Sequence, residues 1–121
     1  MGDKMLESGE MYIETIYLLK DKKEKVHAID VANELGYAKS SVSRALNILK
    51  SKEIITISSK GEIEFTSLGE NVAKEIYTRH EILTKFLKQI GLPEDLAEND
   101  ACRIEHVISK QTLEAIKNQL K

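Results

Sequence analysis

The hydrophobic period of this chain changes twice, and that change limits its fold more than any other feature. Up to Leu49 the apolar residues recur at helical intervals. Then Ile54-Ile55-Thr56-Ile57 runs β-branched, and Ile63-Glu64-Phe65-Thr66 alternates apolar with polar. The intervening Ser-Ser-Lys-Gly-Glu carries a turn glycine, so the two runs predict a β-hairpin. From Ser67 the helical interval returns. The expected fold class is mostly α, with one small hairpin set between helices.

Before the hairpin, Met11, Ile13, Ile16, Tyr17 and Leu19 predict a helix from about Glu10 to Leu19, followed by a polar loop over Asp21–Lys25. A second helix is expected over Ala28–Leu35, with Ile29, Val31, Ala32 and Leu35 facing inward and Gly36 ending it. Ser40 and Ser41 are cap residues for a third helix, striped by Val42, Ala45, Leu46 and Leu49. Helix, helix, turn, helix, hairpin is the order of a winged helix-turn-helix. Ala32 allows close helix crossing, Gly36 makes the turn, and Val42 buries the second helix against the first. After the hairpin, Leu68, Val72, Ile76, Ile82, Leu83, Phe86 and Ile90 stripe a long helix from Ser67 to Ile90, with Ser67 and Glu70 at capping-box spacing. Gly91-Leu92-Pro93 breaks it, and two helices follow, over Glu94–Ile108 and Lys110–Leu120. We therefore expect a winged helix-turn-helix DNA-binding domain over residues 1–70 and a second helical domain over 71–121.

Charge is unevenly placed. The 121 residues carry a formal −2, yet Lys39, Arg44, Lys50, Lys52 and Lys60 against Glu53 give Tyr37–Lys60 a net +4. The remainder is then −6. A basic island within an acidic chain suits site-specific DNA binding, because only the docking face need attract phosphate. The plainer reading is a lysine-rich solvated helix, or a winged helix used for protein contacts. Lys39, Ser40, Ser41, Ser43 and Arg44 stand at the N-terminal end of the third helix, the end that enters a major groove. Arg44 is suited to guanine and the serines to bases or phosphates, while Lys60 at the hairpin tip is placed for backbone phosphate. No apolar run approaches the ~20 residues of a membrane span, and the N-terminus has no signal-like apolar region. Cys102 is the single cysteine, which fits a reducing cytoplasm, the expected location.

A second signal follows Pro93. Cys102, Glu105 and His106 stand at i, i+3 and i+4, so a thiolate, a carboxylate and an imidazole share one helix face. Together they offer S, O and N donors to a divalent transition metal. Singly, each has an ordinary reading as a buried small residue, a core histidine or a surface charge. An enzyme is not expected: the chain has no nucleophile elbow, phosphate loop or HExxH. A thiol-based redox sensor using Cys102 without metal is the alternative regulator.

The segments GEMYIETIYLL, KSSVSRALNILKSKEII, TSLGENVAKEIYTRHEIL and NDACRIEHVIS closely resemble the iron- and manganese-dependent transcriptional repressors, the diphtheria toxin repressor and manganese transport regulator family. The resemblance runs over nearly the whole chain. It implies a winged helix joined to a helical metal-binding and dimerisation region, and a homodimer on double-stranded, palindromic operator DNA. Dimer contacts would come from the C-terminal helices, through residues such as Leu96, Ile108, Leu113, Ile116 and Leu120. By the resemblance Met11, Cys102, Glu105 and His106 match the primary ligands of the iron-type members, which points to Fe(II) first and Mn(II) next. His80 matches a histidine of the second site, which Glu14 and Glu98 would complete. Thr84 stands where the iron-type family has a glutamate. With the sequence running to Lys121, the SH3-like domain of those members is not expected, and the expected architecture is similar to that of the short manganese-type proteins.

Overall fold

The computed structural model describes residues 2–121, with side chains described from Gly9 onward. Its elements in chain order are α1 (Gly2–Lys22), α2 (Ala28–Leu35), α3 (Lys39–Ser51), β1 (Ile55–Ile57), β2 (Ile63–Phe65), α4 (Ser67–Gln89), α5 (Glu94–Ile104) and α6 (Lys110–Asn118). The chain forms two compact units, one of Ser8–Ala73 and one of Lys74–Lys121 with the start of α1.

In the first unit, Tyr12, Ile13, Ile16 and Leu19 of α1, Val31 and Ala32 of α2, and Val42, Leu46 and Leu49 of α3 are all buried. Helix spacing accounts for this: residues three and four apart share a face, so the opposite face of α3 is left to solvent. Gly36 closes α2 at φ 71°, a left-handed conformation that glycine takes without penalty. The carbonyl of Ala32 accepts from the Gly36 and Tyr37 amides at 2.8 and 3.2 Å, which fixes the turn into α3. The hairpin is antiparallel, pairing Ile55 with Phe65, Thr56 with Glu64 and Ile57 with Ile63. It is tied to the helical core by Ile63, whose amide donates to the Val26 carbonyl at 2.8 Å. It is also held by Lys20, whose ammonium bonds the Ile63 carbonyl at 3.1 Å and lies 2.9 Å from the Glu64 carboxylate.

The start of α4 rests on the segment that follows α3. Glu53 leaves α3 at φ 61°, and the Thr66 hydroxyl donates to the Glu53 carbonyl at 2.6 Å while its amide donates to that of Ile54 at 3.0 Å. The same hydroxyl accepts from the Gly69 amide at 3.0 Å, so Thr66 caps α4. The capping box expected at Ser67 is displaced by one residue, because Thr66 is held in place by these bonds to a distant segment.

In the second unit, Ile76 and Leu83 of α4 and Ala97 and Ala101 of α5 are buried. No residue of α6 is buried. Ser109 caps α6, its hydroxyl accepting from the Thr112 amide at 3.1 Å.

Other expectations shift at their edges. α1 runs well beyond Glu10–Leu19 and takes in Asp21 and Lys22, since a polar helix surface gives no apolar signal. Ile29 is 43% exposed rather than inward, because α2 turns only Val31 and Ala32 fully to the core. Leu68 and Ile90, expected on the buried stripe, are exposed. Ser40 and Ser41 lie inside α3, whose N-cap is Ala38. α5 stops at Ile104, leaving Glu105 and His106 in the turn beyond it rather than on the helix.

Candidate metal centre and nucleic-acid face

Within the second unit the end of α5 gathers unlike donors. Ala97 and Ala101 pack inward, and the chain leaves the helix with the Glu105 amide still bonded to the Ala101 carbonyl at 2.9 Å. That helical exit carries the Glu105 side chain into the core, where its exposure is 0%. A buried carboxylate needs compensation, since an unpaired charge in the interior is costly. One oxygen, Oε1, lies 2.7 Å from Nδ1 of His80 on α4. The other, Oε2, has no hydrogen-bond partner among the described residues and lies 3.5 Å from Nε2 of His106. Cys102 is half-buried on the last turn of α5, and its sulfur lies within 4.8 Å of a His106 ring nitrogen.

This arrangement fits a divalent transition ion. The Glu105 Oε2 to His106 Nε2 separation is longer than a hydrogen bond of ~2.9 Å. It is close to the ~3.4 Å expected for two ligands each ~2.1 Å from one tetrahedral ion. Thiolate, carboxylate and imidazole together form the mixed S, O, N set that such ions take. Arg79 steadies the turn, its guanidinium donating to the Glu105 carbonyl at 2.8 Å, and the Tyr77 ring stacks on His80 with centroids 6.2 Å apart. Neither Arg79 nor Tyr77 had a signal in the sequence, since both act across ring or backbone contacts that no residue spacing encodes.

The remaining expected ligands are placed as follows. Met11 and Glu14 lie on α1 in the first unit, Met11 half-buried and Glu14 only 5% exposed. Glu98 is exposed on α5 and, among the described residues, joins no group of three metal-capable side chains. His80 is brought to Glu105.

On the first unit, burial of Val42, Leu46 and Leu49 leaves the other face of α3 to solvent. Lys39, Ser40, Ser41, Ser43 and Arg44 are all exposed there, and Lys60 is exposed between the two strands. A helix with a free polar N-terminal end beside a short hairpin is the geometry by which winged helices read a groove.

Comparison with known proteins agrees with both halves. Residues 4–62 match the iron dependent repressor N-terminal DNA binding domain, and residues 66–121 the iron dependent repressor metal binding and dimerisation domain. The HTH-type transcriptional regulator MntR of Bacillus subtilis (strain 168) is 34% identical over 109 residues, covering 90% of this chain and 77% of that protein. The same figures hold for MntR of Bacillus velezensis. A solved structure described as a manganese-dependent transcriptional repressor complex with manganese superposes with a TM-score of 0.84 at 22% identity. It covers 92% of this chain and 51% of its own. The structure of T. acidophilum IdeR superposes at 0.78 and 22%, covering 91% and 52%. The chain thus spans about half the length of these two solved chains, and at such identity they show the fold. The chain belongs to the iron-dependent repressor (DtxR/MntR) family of metal-dependent, DNA-binding transcriptional regulators, and not to a family of enzymes. Among the described residues no helix is long and apolar enough to cross a membrane.

Proposed function

We propose that this protein is a metal-activated repressor of metal-homeostasis genes. Loaded with Fe(II) or Mn(II), it binds palindromic double-stranded operator DNA in the cytoplasm as a homodimer paired through its C-terminal helices. The observation that carries the reading is the fully buried Glu105, with one oxygen left without a hydrogen bond and facing His106. Met11, Cys102, Glu105 and His106 are the primary ligands, and Glu14, His80 and Glu98 the candidates for a second site. Fe(II) comes first because a thioether and a thiolate are soft donors. Mn(II) comes next, in keeping with the manganese proteins this chain is similar to.

Residues 1–70 read DNA. Lys39 and the serines 40, 41 and 43 fix the helix on the backbone and base edges, Arg44 reads guanine, and Lys60 holds a phosphate in the adjacent groove. Residues 71–121 bind metal and dimerise. In support of pairing, α6 has no buried residue although it carries Leu113 and Ile116 three apart, and Leu96 and Val107 are exposed. By the resemblance to metal-dependent repressors, metal held by this ligand set would be coupled to DNA binding.

The test is anaerobic titration of the metal-free protein with Fe(II), Mn(II) and Zn(II), reading fluorescence anisotropy of a labelled operator library. Metal-dependent binding that disappears in Cys102→Ala and His106→Ala is expected, with Lys60→Ala lowering the salt slope by about one. DNA binding that ignores metal, with regulation lost in Cys102→Ser and kept in His106→Ala, would replace this reading with a thiol sensor. Binding unaffected by Arg44→Ala would remove the assignment of the recognition helix.

A further inference from the structure

Met11 is held by a residue of the helix-turn-helix. The Tyr37 hydroxyl donates to the Met11 thioether sulfur at 3.6 Å. Tyr37 is the residue after Gly36, in the turn that launches α3, and its amide is bonded to the Ala32 carbonyl at 3.2 Å. Its ring is set by Tyr12, the neighbour of Met11 on α1: the centroids lie 6.2 Å apart at 58°, and Tyr12 is 7% exposed. The Met11 backbone is fixed as well, its carbonyl accepting from the Thr15 hydroxyl at 2.9 Å.

A methionine side chain has three rotatable bonds, and ordering it for a ligand role costs entropy at the moment of binding. A donor that already orients the sulfur moves part of that cost into folding. A thioether sulfur has two lone pairs, so one can accept the phenol hydrogen while the other faces outward. We propose that Tyr37 is the positioning residue for Met11: its hydroxyl presents the thioether in a binding-ready rotamer, and it does so from the turn that sets the recognition helix. The proposal rests on Met11 being a ligand. It adds a direct link within one unit between that ligand and the start of α3, in place of a link that runs only through the fold as a whole.

The experiment is a double-mutant cycle on the full chain with Tyr37→Phe and Met11→Leu, using Cd(II) as the probe in competition with a chelator. The second readout is the ¹³C-methyl resonance of Met11, assigned by its loss in Met11→Leu. Tyr37→Phe removes one oxygen and keeps the ring contact with Tyr12, so circular dichroism and thermal midpoint should match the parent. A neutral hydrogen bond to a weak acceptor predicts an affinity loss of about two- to fivefold in Tyr37→Phe. In the Met11→Leu background the same substitution should have no further effect. The metal-free Met11 methyl resonance should move in Tyr37→Phe towards the rotamer-averaged value. A Tyr37→Phe protein with unchanged resonance and unchanged affinity overturns the proposal, as does an affinity loss that persists in the Met11→Leu background. If Met11→Leu alone leaves Cd(II) affinity untouched, the assignment of Met11 as a ligand fails, and the proposal with it.

Discussion

Replacing Gly69 with alanine sets two physical effects against each other. Gly69 is the third residue of α4, and in a helix interior glycine is roughly 0.5–1 kcal/mol worse than alanine. Propensity alone therefore predicts that Gly69→Ala stabilises the protein. The structure predicts the reverse. A Cβ at this position would overlap the Ile54 carbonyl oxygen, lie 2.8 Å from its carbon and 3.1 Å from the Phe65 ring. That carbonyl cannot rotate away without loss, because it accepts from the Thr66 amide at 3.0 Å. The first turn of α4 must lift instead, which also strains the bond from the Gly69 amide to Thr66. Overpacking costs ~1–3 kcal/mol and a weakened hydrogen bond ~1. Offset by the propensity gain, the net loss is about 1–3 kcal/mol. Gly9→Ala is the control, since a Cβ on that helical glycine meets nothing nearer than Leu49 Cδ2 at 4.0 Å and should stabilise by ~0.5–1 kcal/mol. Urea unfolding of the metal-free protein at fixed protomer concentration, followed by circular dichroism, reads both variants. A Gly69→Ala protein as stable as the parent would refute the packing of α4 on Ile54.

Two further outcomes follow from buried and capping carboxylates. Glu105→Gln keeps shape but removes a charge held at 0% exposure, so the metal-free protein should unfold at equal or higher urea while Cd(II) affinity falls at least ~100-fold. A variant that loses more than ~2 kcal/mol without metal, or that keeps its affinity, contradicts a carboxylate kept for an ion. The Asp30 carboxyl is held below the usual aspartate range by the Lys23 ammonium at 2.6 Å and the His27 amide at 2.8 Å. Because its folded pKa lies below its unfolded one, its contribution is complete above the ordinary aspartate range and lost as pH falls through the lowered value. Asp30→Ala should therefore cost about 1 kcal/mol at pH 7 and much less in acid, and a gap that widens on acidification would show the sign to be wrong.

What the sequence made legible was what adjacent residues decide. The helical period, the left-handed turn at Gly36 and the period change at the hairpin are local, and the elements follow them closely. The cap of α4 is not local. Ser67 and Glu70 have good capping spacing, yet Thr66 takes the role because its hydroxyl is held by Glu53, 13 residues away. The burial of Ile29, Leu68 and Ile90 was overestimated for a related reason: a stripe gives the direction of a helix face but not how far the neighbouring elements extend to cover it. The candidate metal centre divides along the same line. The spacing of Cys102, Glu105 and His106 is readable, whereas the meeting of His80 with Glu105 spans 25 residues and that of Tyr37 with Met11 spans 26. No composition or period signals either contact. A fold built for stability alone would place an apolar residue where Glu105 sits, because burying that carboxylate brings a desolvation cost that one histidine contact only partly offsets. Glu105 is thus a position where the local rule for burial fails, and a divalent cation as its partner would account for an anion at that depth.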